Sequence, residues 1–335
     1  MSFLFIGDPH IKQDNLSEVE LLKDRLDSVI VERKPDYIVI GGDILHYHEK
    51  LYTPSLNSAF DLVKRCSRNI PTYVLVGNHD LVNNQQFLTA QHWMNAMKEW
   101  VNVFIVDTTT SLRVDEKLFV FCPYVPPGRF EEALDRVPDW RDSCVIFAHQ
   151  EIKGCKMGAI VSEHGDDWND TLPLIISGHI HDNQKVGDRV YYPGSAMQHS
   201  FGDSDKNVIV MITADGCLED IDLHLPKKRI INLSISDVKE YTPRQNEKVR
   251  VNISATSQEI KTFKKTIEYK SLVETGVKVH FKLRNEDDPL IETIEESGVE
   301  KFNELLLASL DETNPFLMSL YEKVVNNREI SCKNK

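Results

Sequence analysis

Short apolar runs recur along the first 225 residues, and each ends in a polar turn. Residues 3–6 run into Gly7-Asp8-Pro9-His10, 37–40 into Gly41-Gly42-Asp43, and 73–76 into Gly77-Asn78-His79-Asp80. Residues 145–148 run into His149-Gln150, and 174–176 into Ser177-Gly178-His179-Ile180-His181. Apolar runs of this length, bounded by turn signals, suit buried strands. Between the first three runs the spacing turns helical: residues 16–31 are apolar at 19, 22, 26, 29 and 30, and 55–66 and 85–100 behave alike. Helices alternating with buried strands predict an α/β layered domain over residues 1–225. Later runs at 118–122, 190–192 and 208–212 lie close together with few helices between them. They predict a second sheet packed on the first.

The pattern changes at Pro226-Lys227-Lys228-Arg229. Residues 231–235, 249–253 and 277–283 alternate apolar with polar, as half-buried strands do, and 257–269 reads as a helix. A small α+β module is predicted over 226–284. Residues 285–300 then hold seven acidic side chains and no basic one. Beyond them, Phe302, Leu305, Leu306 and Leu310 make one apolar stripe at helical spacing, and Phe316, Leu317, Leu320, Tyr321, Val324 and Val325 a second. Residues 285–335 therefore read as an acidic linker and a helical tail built to meet a partner. The alternative is that the stripes pack on this chain's own sandwich or in a homodimer.

Charge sharpens the middle segment. The 335-residue chain carries a net charge of −13, which by itself argues against a nucleic-acid partner. Residues 226–284, however, hold 14 Lys/Arg against 6 Asp/Glu, a net +8. One reading is a solvated surface. The sharper one is a cap whose Lys227, Lys228, Arg229, Lys261, Lys264 and Lys265 face DNA phosphates. The six cysteines form no C-x-x-C pair, so they read as reduced thiols of an intracellular protein. The apolar start is too short for a signal peptide. No stretch approaches the ~20 apolar residues that span a bilayer, so no membrane partner is expected.

The chemistry lies in the turns. Two divalent cations held side by side need about eight protein ligands, mostly carboxylate and imidazole, with one shared. The five turns supply those types at the strand ends, where an open sheet gathers its ligands. Asp8 with His10, and His179 with His181, have the spacing that puts two side chains on one side of an extended segment. Asp43, after two glycines, suits a bridging role; Asn78 offers a neutral oxygen and His149 a further nitrogen. His46 stands at an offset from Asp43 that brings its imidazole toward a substrate phosphate. His199 reads equally as packing or site, and His48 and His92 as ordinary surface or core histidines.

The ordered set D-x-H, G-D, G-N-H-D, H and G-H-x-H resembles the calcineurin-like metallophosphoesterase superfamily over residues 3–212. The resemblance implies a four-layer α/β/β/α sandwich with a dinuclear centre. One metal would take Asp8, His10, Asp43 and His181, and the other Asp43, Asn78, His149 and His179. His79 would be the acid beside the substrate, oriented by Asp80. Gly42-Asp43-Ile44-Leu45-His46 looks like the G-D-x-x-H of the SbcD nucleases. Tyr192-Pro193-Gly194-Ser195 and Ser200-Phe201-Gly202-Asp203 resemble that family's Y-x-G-S…S-F-G-E, with Asp203 in place of Glu. This implies a manganese-dependent DNA exonuclease or endonuclease of DNA repair or recombination, working with an SbcC-type coiled-coil ATPase. A phosphodiesterase or phosphatase for RNA or small phosphoesters, and a scaffold with a vestigial site, are the alternatives. The metal type is not fixed by these ligands, since zinc and iron also serve the superfamily.

Overall fold

Apolar runs that end in polar turns become parallel strands. The computed structural model describes residues 1–284 apart from Glu49, Gln245 and Asn246. The predicted acidic linker and helical tail, 285–335, lie outside the described residues. The chain opens with β1 (Ser2–Ile6), α1 (Leu16–Arg33), β2 (Tyr37–Ile40), α2 (Thr53–Cys66), β3 (Thr72–Leu75) and β4 (Val103–Val106). It continues through β5 (Thr110–Val114), β6 (Lys117–Phe121), α3 (Phe130–Leu134) and β7 (Val145–His149). A short hairpin, β8 (Lys156–Met157) and β9 (Ile160–Val161), precedes β10 (Leu174–Gly178), β11 (Gln184–Val186) and β12 (Val190–Tyr192). Then come β13 (Val208–Thr213) and β14 (Leu218–Asp222).

These strands form two six-stranded sheets, ordered β14-β13-β1-β2-β3-β4 and β11-β12-β10-β7-β6-β5. Within the first, β1 to β4 are parallel and β13 joins β1 antiparallel, with Phe3 opposite Ile212. Within the second, β6, β7, β10 and β12 are parallel. The 208–212 run was expected in the second sheet. It lies in the first because its antiparallel pairing with β1 covers that strand's open edge.

Although the runs look uniformly apolar, alternate residues serve different layers. Leu4, Ile6, Ile38 and Ile40 pack with Val19, Leu22 and Leu26 of α1 and Ala59, Leu62 and Val63 of α2. Phe3, Phe5 and Val39 face the other way and meet Phe119, Phe121 and Phe147 of the second sheet. The rings of Phe3 and Phe119 lie 4.7 Å apart, and Tyr73 stacks on Phe121 at 4.0 Å. Leu118, Val120 and Ile146 pack with Phe130 of α3 and with Trp140 on the outer face of the second sheet. The layers therefore run helix, sheet, sheet, helix. Each such buried side chain contributes about 1.5–3 kcal/mol relative to exposure.

Helix α1 stops where Lys34 turns left-handed at φ 47° ahead of Pro35. The helix expected over 85–100 is largely replaced by turns and a 3-10 segment at Trp93–Glu99. Its apolar residues serve two cores: Phe87 and Leu88 pack on the second sheet's outer cluster, Trp93 and Met97 on the first sheet's. Leu88, at φ 43°, breaks the path between them.

The remaining described segment builds β15 (Lys227–Leu233), β16 (Glu247–Ala255), α4 (Ser257–Phe263), α5 (Ile267–Glu274) and β17 (Lys278–Leu283). The three strands form their own sheet in sequence order. Val249, Val251 and Ile253 alternate inward and pack with Phe263 and Leu272. The single helix expected over 257–269 is two, because the Thr266 side chain caps a new start by accepting from Tyr269 N. No helix among the described residues is long and apolar enough to cross a membrane.

Candidate metal centre

The five turns meet at one end of the sandwich. The ends of β1, β2 and β3 deliver Asp8 and His10, Asp43, and Asn78 with His79. The neighbouring ends of β7 and β10, where His149 pairs in register with Gly178, deliver His149, His179 and His181. Asp8 (φ 33°), His10 (φ 43°), Asp43 (φ 48°) and His179 (φ 78°) all adopt left-handed backbone. Such positions cost about 1–3 kcal/mol each and cluster where function demands them. The Asp-x-His spacing therefore does not act through an extended segment, as expected from sequence. The side chains converge because the chain curls sharply at each strand end.

Asp43 is central. Its Oδ2 lies 3.5 Å from His10 Nε2 and 3.4 Å from His149 Nε2, and its Oδ1 accepts the His79 backbone N–H at 2.8 Å. His10 Nε2 and His181 Nε2 face each other at 2.9 Å. Asn78 Oδ1 lies 3.0 Å from His149 Nε2 and 2.9 Å from His179 Nδ1. His149 Nδ1 donates to the Gly41 carbonyl at 2.6 Å, which orients the ring and aims Nε2 inward. Asp8 Oδ1 accepts the His179 N–H at 2.9 Å, while Asp8 Oδ2 is buried with no hydrogen-bond partner.

That orphaned oxygen is the direct test of fit. Buried carboxylates require positive charge or hydrogen bonds, and the ion-pair partners of Asp8 and Asp43 are imidazoles. Asp8, His10 and Asp43 form one cluster with metal-ligating spacing, and Asp43, His149 and His179 a second that shares Asp43. Carboxylate oxygens, imidazole nitrogens and one amide oxygen suit divalent cations.

Protonation reflects the same crowding. Burial pushes the Asp8 carboxyl up to about 7, Asp43 adding to the rise and His149 opposing it. For Asp43 burial pulls upward too, yet His149, His10 and His79 together hold its carboxyl well below the usual range. Burial lowers the His149 imidazole, but Asp43 and Asp8 outweigh it and lift the group to about 9. Burial and His149 push His179 down to about 3, and burial with Lys12 and His79 pushes His46 down to about 4. Most of the imidazoles are thus neutral donors, while the carboxylate nearest the centre stays ionised.

His79 is half-buried at the rim. Its Nδ1 donates to the His46 carbonyl at 2.6 Å. The expectation that Asp80 orients His79 is corrected here. Asp80 folds back into its own turn, accepting from Gly77 N at 3.0 Å, Trp93 Nε1 at 2.9 Å and Leu45 N at 3.4 Å. It holds the turn that carries His79, and its hydrogen bonds go to Gly77, Trp93 and Leu45 and not to the ring. His46 stands beside both His10 and His79, with ring centroids 5.3 and 5.7 Å away.

Two further histidines, His199 left open by the sequence and His48 set aside by it, also belong to this end. His199 Nε2 donates to the Asp8 carbonyl at 2.9 Å, and its ring lies 4.8 Å from His10. Asp203 orders that loop by accepting the His199 and Ser200 N–H groups. The S-F-G-D resemblance was the one pointer to it. His48 stacks on His79 at 4.6 Å and 15°, and nothing in the sequence signalled that. His92, by contrast, pairs with Asp107 at 3.1 Å, an ordinary structural contact.

The basic residues divide. Lys228 is corrected as a phosphate contact. Its side chain is 8% exposed, and Nζ is held by Glu18 at 3.2 Å and by the Gln198 carbonyl at 2.7 Å. Lys227 donates to the Asp205 carbonyl, and Arg229 pairs with Glu247 at 3.0 Å. Lys264 lies 5.0 Å from the Phe281 ring centroid. Lys261, Lys264 and Lys265 are exposed on and just after α4.

Gly77 is required by contact. A Cβ built there would lie 2.3 Å from the Asp43 backbone nitrogen and 2.2 Å from its Oδ1. Gly77→Ala is therefore expected to displace Asp43 and to lower both metal occupancy and turnover at least about 100-fold, the upper range for disturbing an outer partner of a ligand. Metal titration by calorimetry alongside hydrolysis rates checks this.

A double-sheet sandwich whose strand-end turns gather carboxylates, imidazoles and an amide around a shared aspartate defines a metal-dependent hydrolase. The chain belongs to the calcineurin-like phosphoesterase family, whose profile matches residues 1–183. It is 44% identical over 274 residues to the protein provisionally named phosphoesterase 244L of Invertebrate iridescent virus 6, covering 78% of this chain and 96% of that one. It is 41% identical over 324 residues to the similarly named 078R of Invertebrate iridescent virus 3, covering 93% of each. A DNA double-strand break repair protein of Methanococcus maripaludis shares 30% identity over 92 residues, 26% of this chain and 25% of that one. The chain is thus a metallophosphoesterase that hydrolyses phosphoesters.

Proposed function

We propose that this chain is a two-metal DNA nuclease of the SbcD type, acting in repair or recombination inside the cell. The observation that carries the reading is the Gly42-Asp43-x-x-His46 turn, which sets a third imidazole beside His10 and His79 at the rim of the centre. The stretch shared with a DNA double-strand break repair protein supports DNA as the substrate.

Asp8, His10, Asp43 and His181 would hold one cation, and Asp43, Asn78, His149 and His179 the other, with manganese the preferred ion. Bound there, such a pair would supply charge stabilisation and activation of a water nucleophile. The protein's own groups do the rest. His46, depressed to about 4 by burial and its neighbours, meets the phosphate as a neutral donor. His79, its Nδ1–H anchored on the His46 carbonyl, holds a proton at Nε2 for the leaving 3′ oxygen. Lys261, Lys264 and Lys265 guide the DNA backbone by charge. The apolar stripes of residues 302–325 dock on an SbcC-type coiled-coil ATPase.

The purified chain with Mn²⁺ is expected to degrade duplex DNA from its ends, and chelation is expected to stop it. Adding an SbcC-type ATPase is expected to speed the reaction. Hydrolysis of a simple aryl phosphodiester with DNA ends left intact would overturn the nuclease reading and leave a small-molecule phosphodiesterase.

A further inference from the structure

The loop between β2 and α2 carries large side chains that no core uses. Tyr47, Leu51 and Tyr52 are 46%, 46% and 43% exposed. Neither tyrosine hydroxyl has a hydrogen-bond partner among the described residues. The two rings nevertheless hold each other, with centroids 5.9 Å apart at 63°. Tyr47 also packs edge-on against His46 at 4.9 Å, and His46 in turn reaches His10, with Nδ1 atoms 3.4 Å apart. A ladder of rings thus leads outward from a metal-ligating imidazole to solvent. Its inner end is pinned by the centre. Its outer end is pinned where Tyr52 starts α2, ahead of Pro54.

We infer that Tyr47 and Tyr52 form a stacking platform for the nucleobase next to the phosphate being cut. This rests on the nuclease reading above and adds a subsite to it. Several observations favour a base over other occupants. A platform one ring removed from His46 is at the reach of a nucleotide whose phosphate lies at the metals. Exposed aromatic faces lose water readily when a flat, apolar-faced group covers them. Stacking of this kind tolerates every base, because each presents a π face. The subsite is therefore sequence-independent.

The test uses two phosphodiesters with the same leaving group, with Mn²⁺ and the full chain: the p-nitrophenyl ester of thymidine 5′-phosphate and methyl p-nitrophenyl phosphate. In Tyr47→Ala and Tyr52→Ala the KM for the thymidine ester is expected to rise about tenfold, the loss of one base–ring stack. The kcat is expected to stay within about twofold, and both constants for the methyl ester are expected to be unmoved. Tyr47→Phe, which keeps the ring, is expected to match the parent protein. An unmoved KM for the thymidine ester in both alanine variants, with DNA still degraded, overturns the platform alone. If the parent protein degrades no DNA and binds the two esters equally, the platform and the nuclease reading fall together.

Discussion

Asp43→Asn is expected to abolish hydrolysis, by on the order of 10³-fold or more, and to weaken metal binding. Loss of an outer partner of a ligand typically costs about 10–100-fold, and Asp43 is more than that. One carboxylate spans both halves of the site, with Oδ2 near His10 and His149 and Oδ1 on the His79 backbone. Asparagine keeps the shape and tolerates the left-handed backbone that Asp43 adopts at φ 48°. The fold should therefore survive, and the loss is chemical: one formal charge disappears, and an N–H₂ that cannot ligate replaces one oxygen. Metal analysis and turnover, with circular dichroism as a fold control, check the result. Unchanged stoichiometry together with near-normal turnover would refute the bridging role.

His79→Ala separates chemistry from metal holding. A positioned acid is worth about 10²–10⁴-fold, and a loss in that range is expected on DNA, whose 3′ oxygen leaves poorly without a proton. A p-nitrophenyl leaving group needs little help, so hydrolysis of an aryl phosphodiester should fall far less. Two metals should remain bound. This control matters because His79 also lies within ligating spacing of His10 and His46. Loss of a metal in the variant would make His79 a ligand. Asp80→Asn should behave differently from His79→Ala, because Asp80 accepts from Gly77 and Trp93 and supports the turn itself.

Much of the sandwich was legible because buried parallel strands leave continuous apolar runs. Residues 3–6, 37–40, 145–148 and 174–176 all became strands close to their expected bounds. What composition could not reveal was which sheet a run joins. The 208–212 run reads like any other, and only its pairing with β1 places it. Edge strands such as β14, with polar Glu219, Asp220 and Asp222, carry too little apolar signal to stand out. The ligand turns were legible as residue types in order, yet the reason they converge was not. Left-handed backbone at Asp8 and Asp43 is a property of the folded neighbourhood, which holds those residues against their own preference. His199 was left open and Lys228 misjudged for a related reason. Each is defined by a partner distant in sequence, Asp8 in one case and Glu18 in the other.

The pairing of β1 with β13 also sets an order of events during synthesis. The first sheet lacks a flank until residues 208–213 have left the ribosome, so β1 waits for a partner encoded most of a domain later. Asp8, His10, Asp43 and Asn78 are made early, while His149, His179 and His181 arrive on strands of the other sheet. Closing such long loops is slow compared with forming local helices. Nascent chains that end before residue 208 therefore carry an open β1 edge, the species most exposed to mispairing. The edge beside the strand that carries Asp8 and His10 closes only when this late strand docks on it.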